Sequence, residues 1–340
     1  MRAIPYTVVV AVVACLLLVA RPAAPAGAQA DPIEAELDAF WAEVSRTVAE
    51  SDFEGMEAIY HPDAIFLGFD SDAPDTHHVM TIADYLEPFR DSGDEEQTSG
   101  VEFHFATRVH DERSAHEVGL FHYWVEAAGQ ERFDHYGTAE AYLVKKDGRW
   151  LVLVEIQRAP STEEAWNALR AGRTENDGVP RPSFEGATRA PAGPVEAELD
   201  AFWAEVSRTV AEGDHEAMVA TYHPDAVHVG RLPDDATAYR INLLAGSPTR
   251  ERAAAATAEV RAGLRAPGVE FRFATRVNDE NTAHEMGLYH FWSTRPGEDR
   301  VDAYGVVDSY LVKKDGRWMI LVQIQRFGAI EAEWDRLAVR

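Results

Sequence analysis

The chain has 340 residues and a formal net charge of −26, from 58 acidic against 32 basic residues. That length divides into two domains of ordinary size, each able to bury its own core. The charge argues against nucleic acid and anionic membrane surfaces as partners, since both recruit basic patches, and leaves an acidic, self-repelling surface.

The N-terminus reads as an export signal. Arg2 supplies a positive start, Thr7 to Ala20 is apolar but too short to span a membrane, and Ala28-Gln29-Ala30 fits a small-residue cleavage site. Residues 1–30 are therefore expected to be removed, with a mature protein beginning at Asp31, secreted or periplasmic and without a membrane span. The single cysteine, Cys15, lies inside the apolar run. Val12 to Cys15 loosely matches a lipoprotein box, but Leu16 to Val19 would then form an apolar mature terminus, so ordinary cleavage is preferred. Cleavage leaves no cysteine, which excludes disulfides, thiolate catalysis and cysteine metal sites.

Ile33 to Glu50 has helical periodicity, with Ile33, Leu37, Phe40, Trp41, Val44 and Val48 on one face. Phe53 to Tyr60 predicts a second, short helix stopped by Pro62. Ile65 to Phe69 predicts a strand, Asp70 to Thr81 an acidic loop, and Ile82 to Arg90 a third helix. Strands follow at Val101–Val109, Ala115–Ala127, Phe133–Val144 and Trp150–Arg158, and Glu163–Ala171 predicts a closing helix. Asp147-Gly148 is a tight-hairpin signal.

The pattern then restarts. Tyr142 to Trp150 returns unchanged as Tyr310 to Trp318, and Val195 to Met218 repeats Ile33 to Met56 with four differences. Tyr222 to Ala226 repeats Tyr60 to Ala64, and His284 to Trp292 echoes His116 to Trp124. The register shifts once, where the second copy carries an alanine-rich helix near Thr249 to Leu264. The division expected is residues 31–172, a Pro- and Gly-rich linker at 173–194, and residues 195–340.

Helices followed by a long antiparallel sheet, a "Y-H-P-D-A" turn and a closing "K-K-D-G-R-W" hairpin resemble the SnoaL-like group of the nuclear transport factor two-like superfamily, which includes the ketosteroid isomerases. The resemblance covers both copies. It implies an α+β fold of two tandem cone-shaped domains, each a curved antiparallel sheet wrapped around N-terminal helices that close a pocket. It also implies pairing through the outer sheet face, here as an intramolecular pseudo-dimer. Superfamily members include isomerases, cyclases, dehydratases and binding modules, so the fold does not choose between them. Carried over residue by residue, the oxyanion acid of the isomerases falls at Glu140 and Asp308. Their general base falls at Gly68 and Gly230, and their tyrosine at Val44 and Val206. Two of three catalytic groups are missing.

Tyr136, Glu140 and Tyr142 share a strand face, as do Tyr304, Asp308 and Tyr310 in the second copy. An acid between tyrosines suits either a polar patch inside a pocket, where burial would raise its pKa, or a structural acid on the outer face. His122 and His290 are candidate general bases, against the alternative of cross-strand hydrogen bonding. His116 and His122 lie roughly 20 Å apart along a strand, so they cannot share a metal. No metal or other cofactor is expected. Trp41 and Trp203 are core residues or pocket walls, and Tyr60 and Tyr222 are added as ligand-binding candidates. Glu155 and Gln157 either line the pocket or face solvent, as do Gln323 and Gln325. Arg108 and Arg276 pair with acids or bind an anion. The leading functional reading is binding of a small, partly apolar molecule in each cone. The alternatives are a lyase, isomerase or cyclase using His122 with Glu140 and His290 with Asp308, and a structural or interaction module with filled cones.

Overall fold

In a computed structural model, residues 31–70, 73–90, 97–172, 193–232, 235–243, 257–329 and 331–338 are described. Residues 1–30, expected as an export signal, with Cys15 among them, and nearly all of the expected linker lie outside these residues. So does most of the alanine-rich helix, of which residues 257–261 are seen as helical.

The first half runs α1 (Pro32–Ala49), α2 (Phe53–Ala58), β1 (Tyr60–Asp70), β2 (Ala73–Thr81), α3 (Ile82–Arg90), β3 (Gln97–His110), β4 (Ser114–Ala127), β5 (Phe133–Lys146), β6 (Arg149–Pro160) and α4 (Glu163–Arg170). The second runs α5 (Pro194–Glu212), α6 (His215–Ala220), β7 (Tyr222–Leu232), β8 (Asp235–Leu243), β9 (Ala266–Asn278), β10 (Thr282–Thr294), β11 (Val301–Lys314), β12 (Arg317–Phe327) and α7 (Glu331–Ala338). Two tandem α+β cones are therefore present, as the resemblance implies.

Local chemistry explains the punctuation. The Asp31 carboxylate accepts the Ile33 N–H at 2.8 Å, and Pro32 follows where a helix needs no donor. Leu37, Phe40, Trp41, Val44 and Thr47 form the buried stripe of α1. Asp147 and Gly148 both take positive φ, +50° and +77°, the backbone of a type I′ hairpin.

Among the described residues each sheet has six strands, in the order β2-β1-β6-β5-β4-β3 and β8-β7-β12-β11-β10-β9. All neighbours are antiparallel except β1 with β6 and β7 with β12. The acidic stretch expected as a loop at Asp70 to Thr81 instead contains the edge strand β2, paired to β1 from Ile65↔Thr81 to Phe69↔His77. Edge strands tolerate proline and charge, so this one carries little apolar signal.

The last strand departs from simple alternation. Tyr142 pairs with Val154 and Leu143 with Val152, which leaves Leu153 as an extra residue in a β-bulge. The sequence places Trp150, Val152, Val154 and Ile156 on one face, but the bulge reverses the parity halfway. Trp150 and Val152 pack with Leu37, Phe40, Trp41 and Val44 on the helix side, whereas Leu153, Val154 and Ile156 face away from it. The second half repeats the device at Leu321, where Tyr310 pairs with Val322 and Leu311 with Ile320.

On the faces away from the helices, side chains of both halves form one apolar cluster. Ile65, Val79, Tyr142, Val154 and Ile156 meet Val227, Ile241, Tyr310, Val322 and Ile324. Antiparallel sheets with two apolar faces need cover on both, and here each sheet covers the other.

Candidate functional site

Alternation on the strands decides what looks into each cone. From β3 and β4 of the first half these are Val101, Phe103, Phe121, Tyr123 and Val125. Val44, Thr47, Val48, Met56 and Ile59 close the other side from the α1 and α2 region. Phe121 lies over Gly137, where a Cβ would stand 2.4 Å from the ring. Together they enclose a cavity of about 300 Å³.

A buried polar cluster stands out in a lining that also carries Thr47, Ser51, Gln97, Ser99 and His135. Because of the Leu153 bulge, Glu155 and Gln157 share the cone side with Trp150 and Val152. The Tyr60 hydroxyl donates to Glu155 Oε2 at 2.6 Å, and the Gln157 amide donates to Oε1 at 2.9 Å. Tyr85 is held by stacking on Phe66, with ring centroids 3.7 Å apart, and its hydroxyl stands 3.5 Å from the Gln157 amide nitrogen. Glu155 is 8% exposed. Burial pushes its pKa up, against the lowering effect of its bonds to Tyr60 and Gln157. Burial, with the nearby Glu155 charge, raises the Tyr60 and Tyr85 phenols well above their ordinary range.

The second half keeps this geometry without the charge. Tyr222 donates to Gln323 Oε1 at 2.7 Å, and Gln325 donates to the same oxygen at 3.1 Å. His228 joins through Gln325, and burial holds its imidazole below the ordinary histidine value.

Of the candidates read from the sequence, Tyr60 lines the cavity and Tyr222 takes the matching place. Glu140, Tyr136 and Tyr142 lie on the opposite sheet face, as do their counterparts. Glu140 Oε1 accepts the Tyr142 hydroxyl at 2.7 Å and stands 3.0 Å from His116 Nε2, whose ring stacks on Tyr142 at 4.3 Å. In the second half Asp308 meets His284 at 2.9 Å, and His284 stacks on Tyr310 at 4.6 Å. His122 pairs with Asp134 at 2.7 Å, stacks on Tyr136 and lies near Trp166 of α4. His290 does the same with Asp302, Tyr304 and Trp334. The histidine and acid of the catalytic reading therefore take separate partners, and neither faces the cone. Counting along β5 identifies an acid but not its face.

Trp41 belongs to the core, not to the cavity wall. It packs on Phe103 and Phe105, with centroids 4.6 and 4.9 Å away, and its indole N–H donates to the buried Glu117. Arg108 donates to Glu117 and, at 2.5 Å, to Asp38. Trp203, Glu285, Arg276 and Asp200 repeat this network, so both arginines hold protein carboxylates.

The sequence reading left Glu155 undecided between pocket and solvent, and it passed over Tyr85, Phe103, Phe121 and Tyr123. The available signal was a lone acid within the apolar strand Val152 to Ile156. Among the described residues no group of three histidines or acids is placed to hold a metal ion, and no helix is long and apolar enough to cross a membrane.

No family model matches the chain, and no curated protein matches it. Solved structures do resemble it, each over about one copy. A conserved protein from Planctomyces limnophilus is 15% identical, covering 38% of this chain and 98% of its own, with a TM-score of 0.33. ActVI-ORFA from Streptomyces coelicolor is 16% identical, covering 38% and 98%, with a TM-score of 0.32. A nuclear transport factor 2-like superfamily protein from Salmonella enterica is 10% identical, covering 38% and 93%, with a TM-score of 0.31.

Proposed function

We propose that the first cone binds a small, partly apolar molecule without transforming it, in an exported protein whose two halves form an intramolecular pseudo-dimer. The observation that carries this reading is the cavity of about 300 Å³, which combines apolar and aromatic walls with a buried polar cluster, Tyr60–Glu155–Gln157, and a few further polar side chains such as Thr47, Ser99 and His135. Such a site orients a ligand by a few polar contacts and holds it by apolar burial. Catalysis through His122 and Glu140 has no support in the geometry, because both are engaged on the far face of the sheet. The shared apolar cluster supports the pseudo-dimer, and a linker of roughly 20 residues supplies a high local concentration of one half for the other.

The test is native mass spectrometry of the exported full chain, followed by extraction of any bound small molecule. Val48 lines the cavity, so Val48→Trp should fill it. A ligand carried by the wild type and lost from a folded V48W chain supports the reading. Equal retention by both proteins would place the ligand elsewhere and overturn it.

A further inference from the structure

The chemistry of the cone narrows what it can take. The Glu155 carboxylate is buried, yet its partners shown here are a phenol and an amide. Arg108, by contrast, serves the comparably buried Glu117 directly. Among the described residues no lysine or arginine lines the cavity, and the titratable groups that do are Tyr60, Tyr85, Tyr123, His135 and Glu155. His135 is exposed, unlike Glu155. Both bonds to Glu155 are donated to it, and they favour the ionised form against the burial that opposes it. A buried anion without a cation is costly, and a ligand cation reaching it removes that cost. The surrounding walls offer aromatic rings, whose faces attract ammonium groups.

We propose, building on the ligand-binding reading above, that the first cone is a site for a small amphiphilic amine. Its ammonium pairs with Glu155, and its hydrocarbon body lies among Val101, Phe103 and Phe121. The overall charge of −26 favours approach of a cation. The second half shows what the same frame looks like without this role. Gln323 stands in place of Glu155, keeps the tyrosine bond, and carries no charge to offer a cation.

The size of the cavity, at the small end of the usual range for ligand sites, sets the probes. We would titrate the full chain by calorimetry at pH 8 with 2-phenylethylamine, 2-phenylethanol and 3-phenylpropionate. The three share a similar body and differ in head group. The amine should bind about tenfold or more tightly than the alcohol, as a charge-assisted bond to a buried carboxylate would give, and the carboxylate most weakly. Glu155→Gln should erase the preference of amine over alcohol while the alcohol still binds. The fold tolerates glutamine there, as Gln323 shows. Equal binding of amine and alcohol, both lost in V48W, would overturn the amine assignment and leave the cone as a neutral binding site. Tighter binding of the carboxylate would overturn it as well. An amine preference that survives E155Q would assign the effect to the acidic surface and overturn it too. Failure of all three probes to bind the wild type would remove the cone reading and the amine proposal together.

Discussion

His61 and His223 meet edge to face between the two halves, with ring centroids 5.4 Å apart and planes at 86°. Each lies 3.1 Å from an aspartate of the opposite half, His61 from Asp225 and His223 from Asp63. Each also accepts a backbone N–H on Nδ1, from Asp63 and Asp225 respectively, at 3.1 Å. That leaves Nε2 as the nitrogen carrying the proton, donated across to the aspartate. Lys146 and Lys314 complete the exchange, with Lys146 2.5 Å from Asp225 and Lys314 bonded to Asp63. Tyr60-His-Pro-Asp and its repeat thus form one reciprocal latch.

This latch predicts acid sensitivity. Burial holds both imidazoles below the ordinary value of 6.5, against the raising pull of Asp225 on His61 and of Asp63 on His223. The unfolded chain then binds more protons than the folded one below 6.5. Stability is fully present above that pH and falls as the pH drops towards the folded values. A proton on Nδ1 would also oppose the N–H it now accepts. Burial raises Asp63 and Asp225, but their bonds and charges to Lys314, Lys146 and the histidines outweigh it and lower both. Their contribution is therefore present above about 3.8 and lost only at more acidic pH. Urea titrations between pH 8 and 5 should show falling stability, with the slope reduced in His61→Asn/His223→Asn. A flat wild-type profile would refute the latch as a pH-sensitive element.

Trp41→Phe should lower stability by about 1–3 kcal/mol, because Glu117 loses a donor inside the core. Ligand affinity in the cone should be unchanged, since Trp41 is absent from the cavity lining. Chemical denaturation and binding titration on the same variant separate the two effects. Weakened binding with unaltered stability would return Trp41 to the cavity wall.

Val154 is fully buried in the cluster shared by the two sheets. Val154→Asp places a carboxylate there without a partner, and should cost more than about 4 kcal/mol or separate the halves. Small-angle scattering should show a compact wild-type monomer and an expanded or unfolded variant. A variant as compact and as stable as the wild type would reject packing of the halves through this face.

Cleavage after Ala30 would leave Asp31 able to cap α1 as it does here. Intact-mass measurement of exported protein should therefore begin at Asp31. A retained Met1, or a lipid on Cys15, would overturn the export reading.

Much of the architecture is legible from residues alone, because it rests on local periodicity and on repetition. The stripe from Ile33 to Val48 specifies a helix buried on one side, Asp147-Gly148 specifies its hairpin, and the return of Tyr142 to Trp150 as Tyr310 to Trp318 specifies two copies. Strand alternation likewise divides Tyr136, Glu140 and Tyr142 from Gly137, Ala139 and Ala141. It does not say which set the helices cover, since that depends on contacts distant in sequence. One extra residue at Leu153 reverses the parity of β6, turning Glu155 into the cone and Val154 towards the other half. The meeting of His61 with Asp225 joins positions 164 residues apart. Only the packed structure determines these relationships, because a bulge, a sheet face and a cross-half partner follow from which surfaces are buried together and leave no period in the chain.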